Sequence, residues 1–72
     1  MKETLLANGF TYEGVCHKCG GGEKYVKMLG DRPARVKIKS NNTFLLTYQG
    51  SATPGREETL LMVLQRNGLA SV

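Results

Sequence analysis

No stretch of this sequence carries the roughly 20 consecutive apolar residues that cross a bilayer. That excludes a transmembrane helix. The opening residues, Met1-Lys2-Glu3-Thr4-Leu5-Leu6-Ala7-Asn8-Gly9, hold two leucines and an alanine. That is too short an apolar core for a signal peptide, so a cytoplasmic location is expected. Cysteine is scarce, with only Cys16 and Cys19 present. One close pair cannot staple a small secreted fold, so reduced thiols or metal ligands are expected. Histidine is scarcer, with His17 alone. No serine or aspartate is placed beside it to form a triad, which leaves it an ordinary loop residue or a lone acid–base candidate. Repeats and low-complexity tracts are also lacking.

The 72 residues predict one domain, residues 1–72. A domain of this size buries only about 60% of its unfolded surface. Nearly every large apolar side chain must then serve the core. Little room remains for a deep substrate pocket, which argues against an enzyme. The 10 basic residues outnumber the 6 acidic ones, for a net charge of +4. That excess suits an acidic partner, either a nucleic acid or an acidic protein, and equally suits a merely solvated surface.

Punctuation by glycine and proline divides the chain. Residues 2–8 predict a short helix that Gly9 ends, with Phe10 folding back on Leu5 in a Schellman cap. Residues 54–67 predict a longer helix. Thr53 would cap it and Pro54 would take its first position, where a missing N–H costs nothing. Glu57 and Glu58 suit its early turns. Leu60, Leu61, Val63 and Leu64 make its apolar stripe, and Gly68 ends it with Leu69 reaching back to Leu64. Between the helices, residues 10–15, 23–29, 35–39 and 43–49 read as strands, separated by glycine-rich and asparagine-rich turns. The expected class is α+β in the order α-β-β-β-β-α, a mainly antiparallel sheet with both helices on one face.

The register of the last two strands follows from burial. An even-membered turn would set Lys37 opposite Leu46 and Arg35 opposite Tyr48. A three- or five-residue turn, or a bulge, gathers Val36, Ile38, Phe44, Leu46 and Tyr48 on one face and Arg35, Lys37 and Lys39 on the other. A one-residue slip exchanges the faces, so burial selects the second arrangement. Asn41 and Asn42 tolerate the positive φ such a turn uses.

Two groups of residues carry potential chemistry. Cys16-His17-Lys18-Cys19-Gly20-Gly21-Gly22 has the spacing of a zinc knuckle, in which a tight turn aims two thiolates at one metal. Completing four ligands would require carboxylates such as Glu13 or Glu23, or the same pair from a second chain in a homodimer. The plain alternative is a hairpin turn holding two thiols. The three glycines disfavour a helix, so a redox pair is not expected. Gly20-Gly21-Gly22-Glu23-Lys24 lacks the spacing and ending of a phosphate loop. The second group is Lys24, Lys27, Arg32, Arg35, Lys37 and Lys39, on adjacent predicted strands and their turn. Such a stripe can follow a phosphate backbone, with Tyr12 or Tyr25 as a stacking surface. It can equally be a solvated face whose lysines block edge aggregation.

Two segments resemble the HicA-type toxins, small messenger-RNA-cleaving proteins with a double-stranded-RNA-binding-like fold. Thr4-Leu5-Leu6-Ala7-Asn8-Gly9-Phe10 is similar to that family's first helix and its entry into strand one. Pro54-Gly55-Arg56 through Thr59-Leu60-Leu61 to Asn67-Gly68-Leu69 is similar to its closing helix. Together they cover about a third of the chain. The resemblance implies that fold and an RNA or partner surface. The position of the family's catalytic histidine falls near Gly22-Glu23-Lys24, which holds none, and His17 lies several residues earlier. The sequence thus leaves three readings: a non-catalytic binding module on a basic sheet face, a zinc-dependent structural or dimerisation protein through Cys16 and Cys19, and a diverged RNA-cleaving toxin using His17.

Overall fold

A computed structural model describes residues 1–16, 21–39 and 41–70. The chain runs α1 (Lys2–Ala7), β1 (Thr11–Cys16), β2 (Gly22–Leu29), β3 (Arg32–Ile38), β4 (Thr43–Tyr48), β5 (Ser51–Arg56), a 3-10 turn (Glu57–Thr59) and α2 (Leu60–Arg66). The five strands form one antiparallel sheet in the order β1-β2-β3-β4-β5. No helix is long and apolar enough to cross a membrane among the described residues.

The β3–β4 register sets Val36 opposite Leu46 and Ile38 opposite Phe44. Lys39 donates its N–H to the Thr43 carbonyl at 2.8 Å, and Asn42 takes φ 61. This is the arrangement burial favours. Val36, Phe44 and Leu46 are fully buried, and Ile38 and Tyr48 pack partly buried against them. Tyr25 and Ala34 join the same face through their pairing, Tyr25 with Val36 and Lys27 with Ala34. Leu5, Phe10, Leu60, Leu64 and Leu69 complete one core cluster with these strand residues.

The C-terminal half corrects the sequence reading in two ways. There are five strands, not four, and the last helix begins at Leu60 rather than at residue 54. Gln49 and Gly50 both take positive φ, 52 and 81, the geometry of a two-residue hairpin turn. The chain therefore turns straight back to pair β5 with β4. Thr53, expected to cap a helix, lies opposite Leu46, and Pro54 lies opposite Leu45. The ladder explains why proline is tolerated there. Glu57 donates to Asn42 across the same pair of segments, so by alternation Phe44, Leu46 and Tyr48 bond to β5. The Pro54 nitrogen then faces the free edge, where no N–H is needed. Gly55 is required for a different reason. A Cβ there would stand 2.6 Å from Cζ of Phe44, whose ring covers that position.

The two helices end alike. Phe10 N–H donates to Leu5 O at 2.9 Å across Gly9 (φ 89), and Leu69 N–H donates to Leu64 O at 2.8 Å across Gly68 (φ 71). These are the long bonds of Schellman caps. The side chains of Asn8 and Asn67 donate to Thr4 O and Val63 O, each at 2.8 Å. Both ends then converge on one group. Lys27 Nζ donates to Asn8 O at 2.8 Å and to Leu69 O at 2.9 Å. Lys27 thus lies on the buried face, opposite Ala34, and is no part of an exposed basic stripe. The sequence reading groups it with Lys24 and Arg35, which lie on the opposite face. Carbonyls at helix ends have no partner within the helix, and an ammonium stabilises them by hydrogen bond and by charge.

Lys27→Met keeps the aliphatic stem and removes both bonds. It is expected to lower stability by about 2 kcal/mol, the scale of hydrogen bonds from a charged donor, seen as a reduced urea midpoint. Lys37→Met is expected not to destabilise, and equal losses in both variants would contradict the role given to Lys27.

Candidate functional site

The pairing distributes the basic residues unequally. On the sheet face opposite the core, Lys24 sits directly across from Lys37, and Arg35 sits across from Val26 on β2 and from Thr47 on β4. Lys39 continues the alternation of Arg35 and Lys37 just beyond β3 and is exposed. Leu45, Thr43, Ala52 and Pro54 share this face through their pairing, and none of them is buried. Lys24, Arg35, Lys37, Leu45 and Thr47 line a shallow depression of about 140 Å³.

Like charges placed directly opposite in an antiparallel pair have Cβ atoms about 5 Å apart and destabilise it. Lys24 and Lys37 are such a pair. Among the described residues neither has an ion-pair partner. Arg35 does, because its Nε lies 3.3 Å from Glu13 Oε1. The β1–β2 register shifts between Tyr12 and Gly14, and this bulge leaves Glu13 unpaired in the ladder.

Arg32 stands apart from this group. It pairs with Leu29 beside the Gly30–Asp31 turn, at a register position of the buried face, but is exposed at the end of the sheet. Arg56 is the residue the sequence reading missed. It lies opposite Thr43 in β5, in line with Lys39, and is exposed. Alternation along residues 51–56 would have found it, but Pro54 read as a helix start.

The aromatic residues do not join the basic face. Tyr12 pairs with Tyr25, their ring centroids 5.4 Å apart and tilted by 59°. Tyr25 is buried among the core residues, which removes it as a stacking surface. Tyr12 is half exposed on that same side of the sheet. The Tyr25 hydroxyl donates to Glu23 Oε2 at 2.9 Å. Burial, and then the hydrogen bond and charge of Glu23, push the Tyr25 phenol up from 10.0 to about 12. Glu13 and Glu23, each offered as a metal-assisting carboxylate, are thus engaged on opposite faces.

β1 ends at Cys16, whose backbone pairs with Gly22. His17, Cys19 and the rest of the cysteine motif up to Gly20 lie outside the described residues. Among the described residues no group of three or more His, Cys, Asp or Glu side chains could hold a metal ion.

Comparison with family models, with curated proteins and with solved structures finds no match. The structure by itself defines the class, a small α+β domain with a five-stranded antiparallel sheet and two helices.

A phenol whose folded pKa lies above its unfolded value stabilises the fold while it stays protonated. The Tyr25 contribution is therefore complete below pH 10 and is lost as pH rises from about 10 to about 12. In an absorbance titration of phenolate formation, Tyr25→Phe should remove a step near pH 12. A native titration without that late step would contradict the buried Tyr25–Glu23 bond.

Proposed function

We propose that this chain is a non-catalytic binding module that holds a nucleic acid across the basic face of its sheet. The reading takes both helices to lie on the buried face, which leaves the opposite face free for a partner. One observation carries it. Lys24 and Lys37 face each other with no ion-pair partner among the described residues, at a cost in stability that a phosphate between them would relieve.

The surrounding residues support the same partner. Arg35, Lys37 and Lys39 recur at every second position and span about 14 Å of strand. Arg56 extends the charge to the β5 edge. The exposed Glu13–Arg35 pair contributes little stability, but it holds the guanidinium in place beside the two lysines. Val26 and Leu45, half buried between the charged side chains, offer apolar surface to sugar or base edges. Phosphate contacts of this kind position a nucleic acid without reading its sequence.

Binding through about four phosphates releases counterions, so affinity should fall roughly a hundredfold between 50 and 200 mM salt. The triple variant Arg35→Glu, Lys37→Glu, Lys39→Glu should abolish binding while leaving the circular dichroism spectrum unchanged. Fluorescence anisotropy with labelled oligonucleotides measures both. Affinity indifferent to salt, or a triple variant that binds as the parent does, would remove the proposal.

A further inference from the structure

The β3–β4 ladder is shorter than either of its strands. It runs from Ile38↔Phe44 to Arg35↔Thr47 and stops, although β3 continues back to Arg32 and β4 on to Tyr48. Proline explains the stop. Lys39 donates to Thr43, so by alternation the odd-numbered residues of β3 turn their backbone groups toward β4. The next such donor would belong to Pro33, which has no N–H. Opposite that position the chain leaves the strand through Gln49, a non-glycine residue at φ 52.

The two strands therefore part, and a cleft of about 450 Å³ opens between the Gly30–Asp31 turn and the Gln49–Gly50 turn. Its volume lies within the range of small-ligand sites. Asp31, Arg32, Pro33, Thr47, Tyr48 and Gln49 line it, and Arg35 is shared with the depression on the basic face. Asp31 and Arg32 are neighbours in sequence, yet among the described residues they form no ion pair with each other or with any other group. An acidic, a basic and an amide residue, Asp31, Arg32 and Gln49, thus border one open cleft, which Arg35 joins to a row of cations.

The geometry points to a single-base pocket: this cleft takes one unpaired guanine from a strand whose phosphates follow Arg35, Lys37 and Lys39. The inference rests on the nucleic-acid reading above and adds that the ligand is single-stranded and that one base is read. Guanine fits the donor set. An ionised Asp31 only accepts hydrogen bonds, and the Watson–Crick edge of guanine presents the donors N1–H and N2–H₂ side by side. Arginine is the common partner of guanine O6 and N7, a role Arg32 can fill. Tyr48 lines the cleft while packing half-buried against the core, so it adds bulk to the wall and distinguishes no base. Selection therefore falls to Asp31 and Arg32.

The test compares a labelled oligouridine with the same oligomer carrying one central guanine, by fluorescence anisotropy on the full chain. The guanine strand should bind about tenfold tighter, the usual discrimination of one well-made base contact. Asp31→Asn lies in an exposed turn and should leave folding intact while bringing the ratio of the two affinities close to one. The ratio is the readout because losing a negative charge strengthens phosphate binding to both strands alike. Strands that bind equally well to the parent protein overturn the base pocket and leave the basic-face reading standing. A ratio unmoved by both Asp31→Asn and Arg32→Ala also overturns the pocket. Absence of binding to either strand overturns both readings. Guanosine monophosphate should compete far more weakly than the guanine strand, and competition at equal concentration would overturn a strand-borne ligand.

Discussion

The Lys27 ammonium is the point at which the sheet meets the ends of both helices, because a cation on a buried sheet face needs partners and the helix ends supply them. A lysine among Tyr25, Ala34 and Val36 would be strongly unfavourable if its charge were left bare. Its two partners are the Asn8 carbonyl at the C-cap of α1 and the Leu69 carbonyl just past the Gly68 turn that ends α2. Each side removes the other's penalty. The arrangement depends on two near-identical endings, Asn8-Gly9-Phe10 and Asn67-Gly68-Leu69, with matched asparagine side-chain bonds and matched long backbone bonds. Both helices are short, six and seven residues. Helices of that length are marginal alone, so tertiary contacts must hold them.

This one interaction also sorts the basic residues. Lys27 turns inward and becomes part of the scaffold. Lys24, three positions earlier, turns outward, where it meets Lys37. The outward group thus sets two like charges directly opposite in the β2–β3 ladder, an arrangement that disfavours pairing. The bulge at Glu13 aims one carboxylate at Arg35 and none at the two lysines. Inward and outward lysines are thus separated by the alternation of a single strand.

Much of this was legible in the sequence. Gly9 and Gly68 marked the helix ends, since a left-handed cap position favours glycine. The β3–β4 register followed from refusing to bury Arg35 and Lys37. The fifth strand was not legible, because Pro54 is equally at home at a helix start and on a sheet edge, and only the positive φ of Gln49 and Gly50 decides between them. For the candidate site, Arg35, Lys37 and Lys39 were readable as one face from their spacing. The inward turn of Lys27 had a signal that went unused: residues three apart in a strand fall on opposite faces, so Lys24 and Lys27 could not share one. Arg56 was hidden with its strand. The cleft beside Pro33 was hidden because the missing N–H matters only once the direction of the ladder is known.

The most direct test of this division is residue-resolved acylation of lysine amines in the native protein, located by peptide mass mapping. The account predicts that Lys24, Lys37 and Lys39 are modified readily and that Lys27 is protected until the protein unfolds. Modification of Lys27 at the rate of Lys37 in folded protein would contradict it.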